Sequence, residues 1–155
     1  MKIQKFKSLV VLCMVALIGF NACDEELARD IFVCEMVATA TFGLVSFDEC
    51  FAILSSDIDE FFITGENSEL KLVIGGWKNQ LGTQTQGATG STGTAILTDK
   101  ANNKTFTATD GTMEFTEIDQ ENKVATATYN FNMASGDGST TSVEGTFENV
   151  PFEED

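Results

Sequence analysis

From Lys123 to Met133 the chain alternates without a break. Ala125, Ala127, Tyr129, Phe131 and Met133 fall on one parity, and Thr126, Thr128, Asn130 and Asn132 on the other. Successive side chains of a strand point to opposite faces, so this is a strand with one packed face and one wet face. A helix of the same residues would spread the apolar set around its whole circumference. Shorter stretches of the same texture surround it: Ala95–Thr98, Thr105–Thr109, Gly111–Ile118 and Ser142–Asn149 are mostly Thr-rich and separated by turn residues. Asn102-Asn103 and Asp137-Gly138 mark reversals, because Asn, Asp and Gly tolerate the left-handed backbone of tight turns. In Val143, Gly145 and Phe147 the inward parity includes a glycine, which points to a bulge or a close backbone approach. Upstream, Leu70, Leu72 and Ile74 alternate up to Gly75-Gly76, and the following Trp77 needs a partner for its indole N–H if buried. Gly82–Thr94 holds four glycines among Thr, Gln and Ser and reads as a loop; a phosphate-binding loop would end in Gly-Lys-Ser/Thr.

The preceding residues carry a different period. Leu27, Ile31, Cys34 and Ala38 share one helix face, and Ser46 followed by Glu49 has the form of a capping box. Phe47, Cys50, Phe51, Leu54, Ile58, Phe61 and Phe62 then recur at helical spacing and read as core. Ala38–Val45, β-branched and broken by glycine, reads as either a turn or a strand. The expectation is an α+β chain: a helical hairpin over 23–66, then an antiparallel, mostly meandering β-sheet or partly open calycin-like barrel over 67–155.

The stretch GTMEFTEIDQENKVATATYNFNM, with Gly145-Thr146-Phe147 and Pro151 beyond it, resembles the C-terminal half of small Bacteroidota lipoprotein domains of unknown function. The likeness covers roughly residues 93–152. It implies an envelope β-domain and brings no catalytic residues with it.

The N-terminus supplies the expected address. Lys2, Lys5 and Lys7 precede the apolar run Leu9–Phe20, which Asp24 cuts off well short of the roughly 20 residues a membrane-crossing helix needs. Residues 1–22 therefore read as a signal peptide. An ordinary cut after Ala22 would place bulky Phe20 at −3, where a small residue is wanted. The junction instead resembles a bacterial lipobox with Cys23 as the lipidated residue, although Phe20 and Asn21 both depart from the usual Leu and small residue. It is similar to the relaxed motif of Bacteroidota-type lipoproteins, in which acids after the cysteine act as a surface-export signal, matched here by Asp24, Glu25 and Glu26. The expected location is the outer membrane, lipid-anchored and facing the cell surface, with the periplasmic leaflet as the alternative.

Cleavage removes three of the nine basic residues and none of the 24 acids, so the net charge moves from −15 to −18. Such a chain repels phosphate backbones, so neither nucleic acid nor an anionic lipid face is expected as a partner. Thirteen Phe and 43% hydrophobic residues require a packed core. Of the cysteines, Cys13 leaves with the signal and Cys23 takes the lipid, and an even pair in an oxidising compartment reads as a Cys34–Cys50 disulfide.

The chain has no His, which removes the Ser-His-Asp triad, the Cys-His pair and most zinc sites. Ser55–Glu60 lacks the ligand spacing and glycine of a calcium loop. No catalytic residue, metal ligand or cofactor is assigned. The function expected is a non-catalytic surface binding or accessory module for a glycan or protein, the Thr and Asn face of Lys123–Met133 being suited to hydrogen-bonding either. The alternatives are a calycin-like barrel holding a small apolar ligand, and a hydrolase using paired carboxylates.

Overall fold

In the computed structural model, residues 35–40, 43–87 and 93–155 are described, with side chains from residue 43 onward. Among them there are ten strands and no helix: β1 Glu35–Ala40, β2 Gly43–Phe47, β3 Glu49–Ser55, β4 Glu60–Glu66, β5 Leu70–Lys78, β6 Gly82–Thr85, β7 Thr94–Asp99, β8 Lys104–Asp119, β9 Val124–Ser135 and β10 Thr140–Glu154. Strands β3, β4, β5, β7, β8, β9 and β10 pair in that order, and β10 returns to pair with β3. The result is a closed seven-strand barrel. Six of its seven ladders are antiparallel, and the closing one is parallel, with Ala52 opposite Phe152. That follows from the odd strand number: in an up-and-down meander of seven, the first and last strands run the same way. Two long strands each serve two neighbours on one edge. β10 pairs with β1 through Val143–Glu148 and with β3 beyond Pro151, and β8 pairs with β7 and then with β6. The β1–β2 hairpin and β6 flank the barrel.

The alternation read in Lys123–Met133 appears as β9, with Ala127, Tyr129, Phe131 and Met133 buried inside and Thr128, Asn130 and Asn132 outside. Thr105–Thr109 and Gly111–Ile118 are halves of one strand, β8, with a register shift between Ala108 and Asp110. In β10 the irregularity falls at Phe147–Val150, with Asn149 at positive φ, rather than at Gly145. Within the expected loop, residues 82–85 form β6.

The helical reading of 23–66 is corrected wherever the residues are described. Ser46 and Phe47 belong to β2 and Glu49 opens β3, so there is no capping box, and Cys50–Leu54 and Phe61–Phe62 lie in strands. The reason is two-sided burial pressure. Ala52, Leu54, Phe61 and Ile63 face the interior while Phe51, Ile53 and Phe62 face outward, so apolar residues stand on both parities and the period of two disappears. Residues 66 and 67 stand at the β4–β5 hairpin of the barrel. Leu27, Ile31 and Cys34 lie outside the described residues.

Seven rings form a continuous chain through the interior. Trp77 meets Phe131, Phe131 stacks on Tyr129, Tyr129 on Phe147, and Phe147, Phe115, Phe61 and Phe152 follow at centroid distances between 5.1 and 6.4 Å. Ala125 and Ala127 on β9 leave room for them. The Trp77 indole N–H donates to the Thr94 carbonyl at 3.3 Å. Burial pushes the Tyr129 phenol well above its ordinary value.

Candidate functional site

Cross-strand partners share a face, so the registers lay out the barrel's outer wall row by row. On β3–β4–β5–β7 one row reads Phe51, Thr64, Val73, Ile96 and the next reads Ile53, Phe62, Gly75, Thr94. At strand spacings of about 4.8 Å this band is roughly 15 Å wide. Its large members remain accessible: Phe51 is 52% exposed, Phe62 and Ile96 38%, and Ile53 37%. Thr64, Thr94 and Gly75 lie among them, and a groove of about 300 Å³ runs past Phe62, Val73, Gly75, Gly76 and Ile96 to Glu60.

Ion pairs close the band at both ends. On one side Glu66 accepts Lys71 at 3.1 Å and Lys100 at 2.7 Å, and these two ammonium groups hold its carboxyl below the usual range. On the other, the row holding Ser55, Glu60 and Lys78 carries a 3.0 Å pair between Lys78 and the nearly buried Glu60. Lys78 also donates to the Ile58 carbonyl at 3.0 Å.

The wall on β8–β9–β10 is different. Thr112, Asn130 and Glu144 form one row, and Glu114, Thr128 and Thr146 another. Asn132 donates to Asp110 at 2.7 Å and Asn130 to Glu144 at 3.4 Å, so this face is a polar, acidic ladder bound to itself. It holds the Thr and Asn side chains expected to meet a ligand. A second groove, of about 400 Å³, lies at one end of the barrel between Leu44–Ser46 and the Asp99–Asn102 turn.

Cys23, Asp24, Glu25, Glu26 and Cys34 lie outside the described residues. Cys50 is half-buried on β3 and packs against the core. Ser55–Glu60, considered for calcium, spans the β3–β4 turn with Asp59 at positive φ, and no group of three or more metal-binding side chains occurs among the described residues. Phe51 and Phe62, read as core from the sequence, are outer-wall residues. The missed signal is adjacency: Cys50-Phe51, Ile53-Leu54, Phe61-Phe62 and Ile96-Leu97 place apolar residues on both faces of a strand. No family, curated protein or solved structure matches the chain.

Proposed function

We propose that this chain is a lipid-anchored cell-envelope protein, held at the outer membrane through Cys23, whose barrel is a non-catalytic binding module. One observation carries the reading of the barrel: its interior is occupied by its own seven-ring chain, while its outside is divided into an apolar wall and a polar wall. Binding is therefore assigned to the exterior, with the Thr and Asn face of β8–β9–β10 turned to a glycan or protein. A calycin-like barrel with an internal apolar ligand is compatible with the fold, but the rings would first have to part. The anchoring rests on the Phe20–Glu26 junction and on the resemblance of residues 93–152 to Bacteroidota lipoprotein domains. Asp24–Glu26 then direct the chain to the cell surface.

A Cys34–Cys50 disulfide belongs to the same proposal. β1 opens at Glu35 opposite Glu148 of β10, and β3 joins β10 at Ala52 opposite Phe152, so the residues flanking both cysteines meet one edge of β10 within a few residues.

Intact-mass analysis of the envelope form tests the anchor, and protease treatment of whole cells tests the face. The expected results are an N-terminus at acylated Cys23 and digestion from outside. Any other N-terminus overturns the anchor, and full protection overturns surface display alone.

A further inference from the structure

We propose that the groove beside β2, at the end of the barrel, takes a short extended peptide segment carrying lysine or arginine, which adds as a strand to the free edge of β2. This site is separate from the Thr and Asn face of β8–β9–β10 and does not depend on lipidation of Cys23.

The edge is read from the backbone. β2 pairs with β1 on one side and, among the described residues, with no strand on the other. The Ser46 carbonyl points away from β1, since it accepts Asn67 Nδ2 at 2.8 Å. In an antiparallel strand the N–H and C=O of one residue point to the same side, and residues two apart share that side. The Ser46 N–H and both backbone groups of Leu44 therefore face the groove of about 400 Å³, whose far wall holds Asn67, Glu69, Asp99 and Asn102. Asn67 fixes that wall, its Oδ1 accepting the N–H groups of Glu69 and Leu70 at 2.9 and 2.7 Å. A strand laid about 4.8 Å from β2 meets two donors and one acceptor in line.

Exposed edges template pairing with other chains, and are ordinarily blocked by a lysine, a proline or a bulge. Gly43-Leu44-Val45-Ser46-Phe47 is uncharged, lacks proline and pairs with β1 without a register shift. Beyond the β5–β7 ladder the treatment is different: the Gln84 carboxamide bonds both the N–H and the C=O of Lys78, at 2.9 Å each. An edge left open beside a preformed groove is suited to receive a partner strand.

Charge names the partner. Lys71 and Lys100 are occupied by Glu66, and Lys104 by Asp137, at 3.1 Å or less. The Glu69 carboxylate has no partner among the described residues, and Asp99 accepts from the neutral Asn102 at 3.0 and 2.8 Å. No basic residue lines the groove, so its two carboxylates face an incoming cation, while Leu44, 74% exposed, offers apolar contact at the rim. A second copy of the chain fits poorly, because β2 carries no cation and its approach sets the Glu69 and Asp99 of two chains together. A glycan fits poorly too, since no aromatic ring lines the groove for a sugar face to lie on.

The test selects a random heptapeptide library on phage against the immobilised full chain, and the enriched peptides are synthesised. They are expected to carry lysine or arginine. Glu69→Lys should weaken their binding by about tenfold or more, by setting like charges together. Exchanging the peptide's cations for glutamate should restore binding to that variant. Leu44→Pro removes an N–H that the barrel's own ladders do not use, and should weaken the parent peptides several-fold. Both variants are checked for an unchanged thermal transition. Enriched peptides without basic residues, binding indifferent to both variants, or a library with no enrichment each overturn the proposal. A concentration-dependent dimer abolished by Leu44→Pro overturns it as well, assigning the edge to a second copy.

Discussion

Phe62 covers Gly75: a Cβ added to that glycine would stand 2.8 Å from Cδ1 of the ring. The contact holds an aromatic side chain over bare backbone in the middle of the outer band. Gly111 is crowded differently, since a Cβ there would meet Phe131 Cδ1 at 2.3 Å and the Asn130 carbonyl oxygen at 2.6 Å. A surface ring can swing aside, whereas a backbone carbonyl inside a ladder cannot. Gly111→Ala should therefore destabilise the barrel by about 1–3 kcal/mol, and Gly75→Ala by less while exposing Phe62 further. Urea unfolding of the two variants side by side checks the order.

The parallel closure makes the C-terminus part of the core. Phe152 is buried opposite Ala52 and meets Phe61 edge-on at 5.1 Å. Phe152→Ala should cost about 3–5 kcal/mol. Phe51→Ala, on the outer wall, should stay within roughly 0.5 kcal/mol of the parent, by the same chemical denaturation.

Stability should fall at both ends of the pH scale. Hydrogen bonds from Asn102 hold Asp99 below its ordinary 3.8, and those from Asn122 do the same for Asp119. Asp137 is lowered chiefly by Ser139, then by Lys104, and Glu66 is lowered from 4.5 by Lys100 and Lys71. Depressed carboxyl groups contribute stability above their unfolded values, so the contribution is complete above about pH 5 and is lost as pH falls below 4. Tyr129 acts at the other end. Its raised value means that stability present below 10.0 is lost as pH rises further, because the unfolded phenol ionises first. Thermal midpoints measured across pH should decline in both windows, and Asp119→Asn should shrink the acid limb.

The Cys34–Cys50 bridge has a separate readout. A denatured thiol count on the mature form should find neither cysteine free. Reduction should lower stability by roughly 3 kcal/mol, as expected for a loop of about 15 residues. Two free thiols would reject the bridge.

Trp77 is fully buried, with its N–H on Thr94 and its ring against Phe131. Its emission should be blue-shifted and shielded from iodide in the folded chain. Gly93→Ala, whose Cβ would lie 2.4 Å from the indole, should red-shift that emission.

Strands whose two faces differ can be read from the residues alone. β9, the two halves of β8 and the start of β5 were legible because water on one side and core on the other impose a period of two, which needs no knowledge of neighbours. Asn102-Asn103 and Asp137-Gly138 were legible for a local reason too: Asn103 and Gly138 do adopt positive φ. β3 and β4 depend instead on their neighbours in the closed barrel. Phe51, Ile53 and Phe62 are apolar on an outer face, so the local pattern matched a helix, and closure with β10 supplied the contacts that made these segments strands. Parallel closure brings together residues 100 apart in the chain, Ala52 and Phe152. No local period records such a pairing, because the burial that stabilises it exists only once the meander has come round to meet its first strand. The apolar band has the same origin: its rows join residues of four strands that become neighbours only in the closed barrel.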